Sequence, residues 1–238
     1  MSDPTFSDLV AFSRSSTGWR TNPDGQSEQV AINAPCFDYD PATKAARGLL
    51  IESAGTNPDN TPRAADDAKV ALSPDWFDPT QGVWFVVFEY PGDGQRTVLE
   101  ANASGVVFGL EVVDGNLFAY YGDVRFALDT ALPGVVTQVV IGYGQSGATA
   151  ARNGVVVQLS AARTPRVTDV RLGETTTTTQ QLDSRMVSVG YAGKSASDAE
   201  MVAYAAPDEW SDITDYIAQN FGDSFVALSA ELDTAINT

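Results

Sequence analysis

The chain has 238 residues, which suits one large β domain or two small ones, and at 43% hydrophobic and 10% aromatic it can bury a sizeable core. Its net charge is −17 with 14 scattered basic residues, which excludes nucleic acid as a partner, because phosphate binding needs clustered Lys and Arg. The absence of His removes His-based triads, His metal sites and imidazole acid–base catalysis, and the lone Cys36 removes any intramolecular disulfide.

Residues 1–65 read as an irregular segment. Pro4, Pro23, Pro35, Pro41, Pro58 and Pro62 punctuate it, and Asn22–Gly25 and Asn57–Asn60 are turn signals. Short apolar runs, Leu9–Phe12, Val30–Ile32 and Leu49–Ile51, lie between. The segment is too apolar for plain disorder, so the expectation is an arm against its own domain or a neighbouring subunit. The opening MSDPTFSDLV lacks a basic n-region and an apolar h-region, so the chain is expected to be made in a cytoplasm. No run of about 20 apolar residues predicts membrane insertion.

Residues 66–206 read as an antiparallel two-sheet β-sandwich. Val83–Tyr90 is nearly all apolar, so it is predicted to be a central strand covered on both faces. Arg96–Glu100 and Val106–Val113 follow, and Asp114-Gly115-Asn116 turns into Leu117–Tyr121. Val124–Leu128 and Val135–Tyr143 come next. Ala148–Arg152 and Val155–Leu159 flank Asn153-Gly154, the strongest short hairpin signal in the chain. Asp169–Leu172, Met186–Tyr191 and Met201–Tyr204 complete about ten strands, a number that suits two packed sheets. Ser197 and Glu200 have capping-box spacing, but a loop is preferred there because Met201–Tyr204 then continues as a strand. Trp210–Phe221 is predicted to be a helix, with Ile213, Tyr216, Ile217 and Phe221 on one stripe. Residues 223–238 carry a second helical pattern, Phe225, Leu228 and Leu232, expected as a tail.

Three N-terminal blocks, Phe12–Gly18 (FSRSSTG), Phe37–Pro41 (FDYDP) and Arg47–Glu52 with Thr56-Asn57, resemble a segment of bacteriophage virion proteins of the tail-fibre and concanavalin A-like type. Ser15 stands where Ala is usual, and Cys36 where a basic residue is common. Further on, Trp76-Phe77, Gly82, Trp84-Phe85 and Asn153–Val155 are similar to a laminin-G or concanavalin A-like jelly roll. The resemblance implies three parts: an attachment arm over 1–65, a jelly roll over 66–222 and a tail over 223–238. It implies a non-enzymatic virion protein at a tail fibre or tail tip with a role in host adsorption, the alternative being capsid decoration or a head fibre. Other virion proteins of the tail or capsid would be its partners, and a homotrimer is the default. Phe12, Arg14, Phe37, Asp38, Tyr39, Arg47, Leu49 and Leu50 are the residues it marks for assembly. Deleting residues 1–60 is then expected to leave a soluble sandwich.

Candidate chemistry is sparse. Jelly-roll glucanases carry Glu-x-Asp-x-x-Glu; Glu231-Leu-Asp233 begins that motif, but Ile236 ends it, and Glu111-Val-Val-Asp114 has the wrong spacing. No Gly-x-Ser-x-Gly elbow occurs. No cofactor is expected other than calcium, whose candidate ligands Asp38 and Asp40 would share a face on a strand. A second class of function is glycan binding, to host surface glycans, with Trp19, Tyr120 and Tyr121 as the aromatic platform.

Overall fold

The computed structural model describes residues 9–175 and 180–205, together with the backbone of Phe225–Ser229. The early strands are β1 (Val10–Ser13), β2 (Gly18–Thr21), β3 (Ser27–Val30), β4 (Cys36–Tyr39), β5 (Ala46–Ile51), β6 (Gly55–Thr56), β7 (Pro62–Arg63) and β8 (Asp67–Val70). Longer strands follow: β9 (Gly82–Glu89), β10 (Gln95–Ala103), β11 (Val106–Val113), β12 (Asn116–Tyr121), β13 (Val124–Thr130), β14 (Val136–Gly144), β15 (Gly147–Arg152) and β16 (Val155–Ser160). Then come β17 (Asp169–Leu172), β18 (Ser184–Ala192), the helix α1 (Asp198–Tyr204) and β19 (Phe225–Ser229).

The fold is an antiparallel β-sandwich. One sheet has the order β1-β8-β17-β10-β11-β12-β13; the other has β16-β15-β14-β9-β18-β5-β4, with β19 also on β18. Inward residues of both sheets, among them Leu99, Phe108, Leu110, Leu117, Trp84, Phe88 and Ile141, make one continuous core. The aromatic residues marked by the jelly-roll resemblance close one end of it: Trp84 lies 4.6 Å from Tyr191, and Phe77 lies 5.0 Å from it, ring centre to ring centre. The predicted strands between residues 83 and 191 are present, with ends shifted by up to three residues. Asn153 and Gly154 both adopt positive φ, 49° and 75°, as the predicted two-residue hairpin requires.

Every residue of β9 is buried, as its apolar run predicts. The inner face meets the core, and α1 covers the outer face, where Met201 and Tyr204 pack on Val83, Phe85 and Val140. This corrects the expected strand over Met201–Tyr204. Ser197 accepts from the Glu200 amide at 3.3 Å, and Glu200 accepts from the Ser197 amide at 2.7 Å. The closed capping box, with two apolar residues three apart on one face, outweighs the strand propensity.

Residues 9–65 are irregular between their strands, but they do not form a separate arm. β1 pairs with β8 in one sheet, and β5 pairs with β18 in the other, with β4 at its edge. Within the tail, Phe225–Ser229 differs from the helical expectation, because as β19 it pairs with Ser188–Ala192 of β18. The predicted helix over Trp210–Phe221 lies outside the described residues. Among the described residues, no helix is long and apolar enough to cross a membrane.

Candidate functional site

The eight residues marked for assembly brace the sandwich. Phe37 and Leu49 are core residues, Tyr39 is buried, and Phe12 packs on the core from its rim. Leu50 is half-buried on β5. Arg14 is fully buried against Asp66 at 3.0 Å. Its guanidinium also donates to the Cys36 sulfur at 3.2 Å and to the carbonyls of Ser16 and Ala34 at 3.1 Å each. A side chain on Gly18 would lie 2.5 Å from that guanidinium, which accounts for the glycine in FSRSSTG. Burial pushes the Cys36 thiol up to about 11 despite the neighbouring Arg14.

The calcium pair is split between two structural roles. Asp38 is held by Arg185 at 2.6 Å and by the Thr21 amide at 2.8 Å. Asp40 accepts from the amides of Ala42 and Thr43 in the turn after β4, which pulls its carboxyl below the usual carboxylate range. β4 bulges between Asp38 and Tyr39 and ends at Tyr39, so Asp40 lies beyond the strand on which the two side chains were expected to share a face. Among the described residues, no group of three or more metal-ligating side chains forms. Arg47 and Arg185 both reach Glu89, at 3.0 Å each.

The expected aromatic platform is not assembled either. Tyr120 and Tyr121 are consecutive on β12, so they point to opposite faces. Tyr121 stacks on Phe108 of the core, with ring centres 6.2 Å apart. Trp19 sits half-buried on the β2–β3 hairpin beside β4, at the other sheet. Tyr120 lines a groove.

That groove, of about 330 Å³, runs over the outer face of the seven-stranded sheet. Its floor comes from one face of β10 to β13: Gln95 and Thr97, with Glu100 brought onto the same face by the bulge between Thr97 and Leu99, then Glu111, then Tyr120, then Arg125. Gly122, Asp123, Thr175 and Gln180 form its walls. Strand register sets the floor. Tyr120 lies opposite Gly109, and Gly109 lies opposite Glu100. The glycine leaves no side chain in the row, so the Tyr120 hydroxyl crosses it and donates to Glu100, two strands away, at 3.1 Å. A Cβ on Gly109 would meet that hydroxyl at 2.8 Å and the Leu99 carbonyl oxygen at 2.0 Å. Burial, with Glu100 alongside, drives the Tyr120 phenol far above its ordinary value.

The second half of the floor is equally fixed. Arg125 donates from Nε and Nη2 to the two oxygens of Glu111, which raises the guanidinium further. Gln95 Nε2 donates to Glu111 at 2.7 Å and to the Gln180 side chain at 3.0 Å. Glu100 and Glu111 are each more than nine-tenths buried, yet both are hydrogen-bonded, as buried charge requires. Residue patterning carried a signal for them. Glu111 interrupts an apolar run (VVFGLEVV), and a buried charge on a strand flags a site. The spacing test for a single-strand glucanase motif passed over it, because this floor is built across strands.

A larger cleft of about 570 Å³ opens where β14 and β15 meet the start of α1. Glycines and hydroxyls line much of it, including Gly144, Gly147, Ser146, Thr149 and Ser195. Glu200 on its wall is engaged by the capping box. The groove holds the richer chemistry.

No family model matches the chain, and no curated protein matches it significantly. Solved structures do. Trypanosoma rangeli sialidase in complex with sialic acid matches over 91% of this chain and 34% of its own, at 14% identity and a TM-score of 0.51. The same sialidase with 2,3-difluorosialic acid matches over 85% and 33%, again at 14% identity and 0.51. The CBM40 of Ruminococcus gnavus IT-sialidase bound to α2,3-sialyllactose covers 53% of this chain and 83% of its own, at 16% identity and 0.41. The chain spans about a third of the length of the sialidases it matches. At this identity the sialidase likeness is one of fold alone, an antiparallel β-sandwich.

Proposed function

We propose that the protein is a non-enzymatic binding module that takes glycans in the groove on its seven-stranded sheet. The observation that carries this reading is the floor itself: a phenol, two carboxylates, an amide and a guanidinium, held by one another on rigid strands. Sugars present dense hydroxyls, which both donate and accept, and fixed planar polar groups match them without an ordering cost on binding. Hydrolysis would need two carboxyl groups free to act as acid and base or nucleophile across the scissile bond. Glu111 is instead clamped on both oxygens by Arg125 and Gln95. A glycan array probed with the full chain and with Tyr120→Phe tests the reading. The expected result is defined hits whose signal falls about tenfold in the variant, the scale of a lost hydrogen bond to a charged group. A blank array removes the proposal.

A second reading places the module on a bacteriophage particle, at a tail fibre or tip or on the capsid. It rests on the N-terminal blocks Phe12–Gly18, Phe37–Pro41 and Arg47–Glu52. Their side chains brace the sandwich, so contacts to other virion proteins, or within a trimer, would come from other surfaces. Antibody-gold labelling of purified particles tests it: gold at the tail or over the head supports display, and unlabelled particles refute it.

A further inference from the structure

The charge balance of the groove bears on which glycan it takes, an inference that rests on the glycan-binding reading above. Three carboxylates line the groove, Glu100, Glu111 and Asp123, against one guanidinium, Arg125. Arg125 is committed to Glu111. The next basic side chain along the row is Arg171, opposite Glu100 on β17, and it is set against Asp67, Asp169 and Glu174. The outer face of this sheet therefore carries a surplus of carboxylates, on a chain whose net charge is −17.

Part of the donor capacity of the groove is already engaged. The amide N–H groups of Gln95 are directed at Glu111 and Gln180, and the hydroxyl of Tyr120 is directed at Glu100. Asp123, exposed on the wall, adds two acceptor oxygens and no donor. A ligand that fits such a surface brings donors and positive charge. A neutral sugar brings donors alone. A sugar carrying a carboxylate brings acceptors and like charge, which complementarity penalises.

We infer that the groove selects an amino-sugar glycan, one with free protonated amines, whose ammonium is drawn to the Asp123 wall above the Glu100 floor. Its volume lies at the low end of the range for small-ligand sites, which suits a short stretch of such a chain.

Titration calorimetry of the full chain with a glucosamine oligomer, the matching N-acetylglucosamine oligomer and sialyllactose, at low and high salt, tests this. The glucosamine oligomer is expected to bind at least about tenfold tighter than the other two, with the gap narrowing at high salt as screening predicts. Asp123→Asn, an exposed change, is expected to weaken the glucosamine oligomer several-fold and the acetylated oligomer by less, so that the gap between the two narrows. Equal or tighter binding of the acetylated or sialylated sugar overturns the charge inference and leaves the glycan reading standing. Binding of none of the three, together with a blank array, overturns both.

Discussion

At the residue scale, the buried Arg14–Asp66 pair shows what the N-terminal blocks are for. Both side chains are fully enclosed, and Asp66 also accepts from the Glu52 amide at 2.8 Å. Removing one partner of such a pair leaves an uncompensated buried charge, which costs about 3–5 kcal/mol. Arg14→Met is therefore expected to lower unfolding stability by that amount in urea titration, far more than the loss of an exposed ion pair. The sequence marked Arg14 through a resemblance, and its role is legible only once Cys36 and Asp66 are known to meet it. Nothing local in FSRSSTG states that its arginine faces inward. Tyr120 and Tyr121 teach the converse. Strand periodicity alone separates neighbouring tyrosines, so the pair was readable as one core residue and one surface residue.

At the element scale, the β-branched and aromatic runs between residues 83 and 191 were legible because each is bounded by turn chemistry, as at Asn153-Gly154. Pairing partners were not. The short strands β1, β4 and β5 look like an arm in sequence because Pro and Asn separate them, while the bonds that hold β1 and β5 are long-range, to β8 and β18, and β4 is carried at the edge on β5. Deleting residues 1–60 removes these strands from both sheets and strips Asp66 of Arg14. The truncated chain is expected to be insoluble or to lack a cooperative thermal transition. A soluble, cooperatively melting product would contradict the woven arrangement. The helix α1 was missed for a related reason. Met201–Tyr204 reads as a strand by propensity, but its capping box and its place over Phe85 decide the outcome.

At the scale of the whole molecule, the acidic outer face has a thermodynamic consequence. Glu174 is enclosed beside Asp67, and burial together with that neighbour pushes its carboxyl up to about 8. In the unfolded chain the same group titrates near 4.5. The folded protein thus holds a proton that the unfolded chain has released between those values. The stabilisation is complete below 4.5 and is lost as pH rises through about 8. Melting temperatures measured across this window should fall with pH in the native chain, and Glu174→Gln should flatten that slope. An unchanged slope in the variant would place the titration elsewhere.

The central claim is that glycans meet the molecule on the seven-stranded sheet, and amide chemical-shift mapping tests it most directly. With the tightest glycan from the array added to the labelled chain, perturbations are predicted to concentrate on Thr97–Glu100, Gly109–Glu111 and Tyr120–Arg125. Shifts confined to Gly144–Gly147 and Ser195–Asp198, at the cleft beside α1, would contradict it.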